Sequence, residues 1–110
     1  MQDKTNFNTL VNRYKKMKFF IVLNRIAAEK KEKIKLVNRV YDLLKEEHTV
    51  EIFETYSEQE AKKVFEDVSK KEFDRIIVAG GDGSICLAIN EMINNGINNK
   101  FLGYIPAGTA

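Results

Sequence analysis

Two short stretches of this chain place glycines and hydroxyl residues where a strand pattern ends. The first is Ile76-Ile77-Val78-Ala79-Gly80-Gly81-Asp82-Gly83-Ser84, in which an apolar run passes directly into glycines and a serine opens the next helical pattern. Glycine reaches positive φ cheaply and lets a ligand approach the backbone closely. A helix start presents unpaired N–H groups and a partial positive charge. Together these features make a cradle for an anion, phosphate in particular. Gly80 to Gly83 are expected to form a tight turn, with helix from Ser84. Ser84 is placed either to donate its hydroxyl to a phosphate oxygen or to cap the helix. Asp82 would repel phosphate directly. It suits Mg²⁺, a ribose or acceptor hydroxyl, or backbone N–H groups within the turn.

The second stretch is Gly103-Tyr104-Ile105-Pro106-Ala107-Gly108-Thr109-Ala110, again a strand followed by glycine and a hydroxyl residue. One such loop is ordinary; two on neighbouring strands would face a single crevice. Neither loop has the spacing or the lysine of a P-loop, and neither has the G-x-G-x-x-G of a dinucleotide fold.

The elements that must carry these loops alternate along the chain. Phe19 to Leu23 reads as a strand buried on both faces. Glu29 to Glu47 reads as a helix, with Ile34, Val37, Tyr41 and Leu44 at helical spacing and Leu36, Val40 and Leu43 widening the stripe. Val50 to Phe53 is a second strand. Ser57 with Glu60 forms a capping box for a helix whose apolar face is Ala61, Val64, Phe65 and Val68. Phe73 to Ala79 is a third strand. Ile85, Ala88, Ile89, Met92 and Ile93 mark a third helix, ended by Gly96 at C′. Phe101 to Ile105 is a fourth strand. This β-α-β-α-β-α-β order predicts an α/β fold: a three-layer, Rossmann-like or flavodoxin-like parallel sheet in the order 2-1-3-4, with helices on both faces. Ligands of such sheets bind at the carboxyl ends of the strands, near the reversal of winding.

Composition narrows the function classes. The 110 residues suit one small domain, and a hydrophobic fraction of 44% supplies a core. Net charge is only +2, with glutamates interleaved among the lysines as in Glu29-Lys30-Lys31-Glu32-Lys33, so a nucleic-acid partner is not expected. Cys86 is the single cysteine, which excludes an internal disulfide and a cysteine-rich zinc site. It is expected to be a small packed residue, not a reactive thiol. His48, between a helix end and a strand, is expected to have a surface or helix C-terminal role and no part in catalysis. Residues 1–16 lack a clean period and read as a flexible extension before a domain spanning residues 17–110. Met17 stands directly before the first strand as an alternative start. With no long apolar run and no signal peptide, the chain is expected in the cytoplasm.

The pair GGDGS and IPAGTA resembles the catalytic domain of the diacylglycerol kinase family, which includes bacterial lipid kinases, sphingosine kinases and ceramide kinases and is related to NAD kinases. The likeness runs from about Lys18 to Ala110. It implies ATP as the nucleotide, Mg²⁺ as cofactor with ligands mostly outside this chain, and a lipid hydroxyl at a membrane surface as acceptor. It implies that Gly80, Gly81, Asp82, Gly83 and Ser84 form the nucleotide-phosphate loop, and that Gly108 and Thr109 form a second nucleotide loop. Asn24 and Thr55 match nucleotide-contacting residues at the ends of strands 1 and 2, and Asn90 matches an asparagine on the helix after GGDG. The base that takes the acceptor proton is expected either from the portion of the kinase beyond this chain or, by likeness to NAD kinases, from Asp82.

The departures from the family pattern also carry expectations. The family follows Asn24 with proline and a glycine-rich turn, where this chain has Arg25-Ile26-Ala27-Ala28. It follows GGDGT with polar residues where this chain has Cys86 and Leu87. Relatives continue with Asn-Asp, further strands and a β-rich domain. The chain is therefore expected to be the N-terminal portion of a two-domain kinase, inactive alone and prone to self-association through an exposed sheet edge. The alternatives are an NAD-kinase-like fragment acting on a soluble hydroxyl and a nucleotide-binding module without turnover.

Overall fold

The computed structural model describes residues 16–26, 31–98 and 100–107. Gly108, Thr109 and all but the last residue of the expected N-terminal extension lie outside the described residues. Strand β1 (Lys18–Asn24) is followed by helix α1 (Lys31–Lys45), β2 (Thr49–Thr55), α2 (Glu58–Val68), β3 (Arg75–Gly80), α3 (Asp82–Asn94) and β4 (Phe101–Pro106). The four strands form one parallel sheet in the order β2-β1-β3-β4. The expected fold class is the observed one.

Side chains alternate across a strand, so β1 divides its apolar run between two cores. Phe20 and Val22 join Ile76, Val78, Phe65, Val68, Ala88 and Met92 on the face covered by α2 and α3. Ile21 and Leu23 join Val37, Ala79, Ile105 and Ala107 on the α1 face. Covered on both sides, the middle five residues of β1 are all buried. Phe20 also packs edge-on against Phe53, with ring centroids 5.3 Å apart.

The ends of the elements follow their local chemistry. Ser57 caps α2 by accepting the Glu60 N–H at 3.1 Å. Glu60 reaches back to the N–H of Tyr56, one residue before the cap, at 3.0 Å. Helix α3 ends in paired bonds, Gly96 N–H to the Ile93 carbonyl and Ile97 N–H to the Met92 carbonyl. Gly96 sits there at φ +69°, the left-handed conformation that glycine adopts without Cβ strain. His48 accepts the Met17 N–H at Nδ1 and stacks its ring 5.1 Å from Phe19.

Four expectations need correction. Gly80 to Gly83 are not a separate tight turn: α3 begins at Asp82 with Gly81 as N-cap, and Gly96 is the one positive-φ glycine among the described residues. The helix therefore starts two residues earlier than its apolar pattern indicates, because Asp82, Gly83 and Ser84 carry no apolar side chain. Leu36 and Leu43 are exposed and do not widen the α1 stripe, whose packed residues are Val37, Val40 and Tyr41. Ile89 and Ile93 are exposed on α3, since the helix presses only Ala88 and Met92 onto the sheet. Cys86 is exposed, not packed, and borders the open cleft between α2 and α3.

Candidate functional site

The carboxyl ends of β1, β2 and β3 converge beneath the start of α3. Asn24 and Thr55 are register partners on β1 and β2 and project from the α2–α3 face. Thr55 is almost fully buried, and its hydroxyl lies 3.4 Å from the Leu23 carbonyl. Asn24 acts as a clamp. Its amide nitrogen donates to Ser84 Oγ at 2.7 Å, and its Oδ1 accepts the Ile26 N–H at 3.0 Å. The first strand end and the start of α3 are thereby tied across 60 residues of sequence.

Gly80 is buried where β3 turns up into α3. A Cβ at this position would lie 2.7 Å from Ser84 Cβ, overlap Ser84 Oγ and stand 3.2 Å from Asn24 Cβ. This glycine serves close strand–helix packing and not an unusual backbone angle. Gly83 is different: a Cβ there would meet nothing within 4 Å. Its open side borders the cleft, so its lack of a side chain leaves room for a ligand.

The first turn of α3 supplies donors. Ser84 and Ile85 N–H groups already bond the Gly81 carbonyl at 3.0 and 3.3 Å. The N-cap residue, Gly81, has no side chain to cap this terminus. The Asp82 and Gly83 amides thus lack acceptors among the described residues, and the positive end of the helix dipole adds to their pull on an anion. Ser84 Oγ accepts from Asn24 and keeps its own proton for a ligand. Asp82, at the first helical position, is exposed, and its carboxylate makes no ion pair among the described residues.

This terminus opens into a cleft of about 820 Å³ between α2 and α3, within the range of roughly 300–1,000 Å³ usual for small-molecule sites. Asn24, Thr55, Gly81, Gly83 and Ser84 line its floor, Phe65 and Leu87 form an apolar wall, and Asn90 stands at its rim. The structure therefore brings together Asn24, Thr55, Gly80, Gly81, Asp82, Gly83, Ser84 and Asn90. The proposed roles of Gly108 and Thr109 lie outside the described residues, but β4 delivers Ala107 to the same end of the sheet. The Ala107 N–H bonds the Gly80 carbonyl at 2.9 Å. Arg25, directly after Asn24, pairs with Glu54 at 2.9 Å. Among the described residues no group of three or more His, Cys, Asp or Glu is arranged to hold a metal.

Sequence reasoning missed Ser57, Lys62 and Asn94, which also border the cleft. It missed Tyr104 too, whose hydroxyl donates to the Gly80 carbonyl at 2.9 Å. Strand parity offered a signal for Tyr104, because it stands beside Val78 on the α2–α3 face.

The family model for the diacylglycerol kinase catalytic domain matches residues 18–110, the whole span that carries these loops. The chain belongs to the diacylglycerol kinase catalytic-domain family. Among solved structures it is similar to a "putative diacylglycerol kinase" from Bacillus anthracis str. Sterne, with a TM-score of 0.65 and 24% identity. At that identity the likeness shows the fold. The match covers 86% of this chain and 34% of that one, so the chain spans about a third of the protein it resembles. No curated protein matches. Membership in this family supports a kinase-type enzyme. No helix among the described residues is long and apolar enough to cross a membrane.

Proposed function

We propose that this chain is the ATP-binding portion of a lipid kinase that transfers the γ-phosphoryl group of ATP to a lipid hydroxyl such as that of diacylglycerol. The observation that carries this reading is the unsatisfied α3 terminus, with the Asp82 and Gly83 amides and the Ser84 hydroxyl opening into the cleft. Phosphoryl transfer rests largely on positioning and on stabilising charge, and donors fixed at a helix start supply both. The phosphates lie along Gly81 to Ser84, with Asn24 and Thr55 beneath them, and Gly108 and Thr109 would serve as a second nucleotide loop.

In the reaction the acceptor hydroxyl oxygen forms a bond to the γ-phosphorus as the bond to the β–γ bridging oxygen breaks, releasing ADP. Asp82 takes the acceptor proton. Mg²⁺, when bound, would supply charge neutralisation at the phosphates, which needs only one or two protein carboxylates. Its ligands are expected mostly outside this chain. The work takes place in the cytoplasm, at the membrane surface where the lipid resides. The chain spans about a third of the protein it resembles, and on this reading it is expected to be inactive alone.

A second reading is a nucleotide-binding module without turnover. Cys86 and Leu87, where relatives carry polar residues, favour it. Titration with MgATP followed by amide NMR tests the nucleotide site: shifts are expected at Asn24, Thr55, Gly81, Gly83 and Ser84. Shifts confined to α1 would refute it. Joining the chain to the β-rich domain of a relative and assaying diacylglycerol phosphorylation separates the two readings, since only a lipid kinase turns over and loses that turnover in Asp82→Asn.

A further inference from the structure

We infer that Tyr104 is a positioning residue that locks the Gly80–Gly81 peptide in the orientation the anion cradle requires. The inference rests on the nucleotide reading of that cradle. The Gly80 carbonyl accepts two hydrogen bonds from the β4 side, one from the Ala107 N–H and one from the Tyr104 hydroxyl, both at 2.9 Å. A carbonyl oxygen has two lone pairs, and both are engaged.

A trans peptide sets its C=O and the following N–H in opposite directions, and the structure contains no cis bond among the described residues. Fixing the Gly80 carbonyl toward β4 therefore turns the Gly81 N–H away from β4. That is the side on which β1, Asn24 and the cleft lie. The Gly81 amide then faces the cleft that Gly81, Gly83 and Ser84 line.

A peptide between two glycines is the easiest kind to flip, because no Cβ resists either orientation. With Ala107 as its only anchor, the carbonyl would depend on the segment just before Gly108. Tyr104 supplies a second anchor from within a strand. Its register neighbour is Val78, so the side chain lies along β3 and its hydroxyl reaches the carbonyl two residues further on. Phenylalanine has the same shape without the hydroxyl, so Tyr104→Phe removes this anchor and little else.

The test compares the wild-type chain with Tyr104→Phe by ¹H–¹⁵N NMR, thermal melting and MgATP titration. The variant is expected to melt as the wild type does and to keep its spectrum away from the site. The Gly81 amide is expected to shift or broaden, reporting exchange between two peptide orientations. MgATP affinity is expected to fall about fivefold, the scale of one partly exposed hydrogen bond. An unchanged Gly81 resonance would overturn the inference whatever the nucleotide does, as would an affinity loss matched by a general loss of folding. If the wild type binds no MgATP while the Gly81 amide still responds, the nucleotide reading fails and the peptide lock stands.

Discussion

Replacing Gly80 and Gly83 one at a time with alanine separates two roles that glycine plays in this loop. At Gly80 a methyl group would overlap Ser84 Oγ and stand 2.7 Å from Ser84 Cβ and 3.2 Å from Asn24 Cβ. Relief requires α3 to lift from β3, which breaks the 2.7 Å bond between Asn24 and Ser84. Overpacking of a close contact costs about 1–3 kcal/mol, and the lost hydrogen bond about 1 kcal/mol more. The expected destabilisation is roughly 2–4 kcal/mol, or about 10–20 °C in melting temperature for a domain of this size. At Gly83 the backbone is helical and nothing lies within 4 Å of a built Cβ. Alanine there should leave the melting temperature unchanged or slightly raised. It should nevertheless weaken MgATP binding about tenfold, because the methyl group occupies the space a phosphate needs. Thermal unfolding by circular dichroism and titration calorimetry with MgATP read both effects. The reasoning is refuted if Gly80→Ala melts as the wild type does, or if Gly83→Ala binds nucleotide undiminished.

Phe65→Ala, which empties the centre of the α2–α3 core, is expected to cost about 3–5 kcal/mol in urea unfolding. Gly96→Ala, at φ +69°, should cost about 1 kcal/mol in the same measurement, from left-handed strain alone. We expect the chain to associate through the open β4 edge, where Phe101 is 68% exposed. Sedimentation should show concentration-dependent association that Phe101→Glu reduces, and a monomer at all concentrations would exclude this edge as a contact.

Much of the fold was legible in the sequence because its signals are local. The apolar run of β1, the capping serine of α2 and the glycine after α3 each act within a few residues. The alternation of strand and helix patterns, with right-handed crossovers, then restricts the sheet to few orders. The chemistry of the cradle was legible for the same reason: glycines between a strand and a helix start mark an anion site by their backbone consequences alone. What only the tertiary structure decided was contact between distant segments. Strand register put Asn24 beside Thr55, and packing of α3 joined Asn24 to Ser84. Helical periodicity placed Leu36, Leu43, Ile89 and Ile93 on apolar stripes but could not say how wide a surface each helix would meet. The sheet covers only the central line of each stripe, so their flanks remain exposed. Gly80 and Gly83 look alike in the sequence. Only the approach of Ser84 and Asn24 to one, and the open cleft beside the other, assigns packing to Gly80 and ligand access to Gly83.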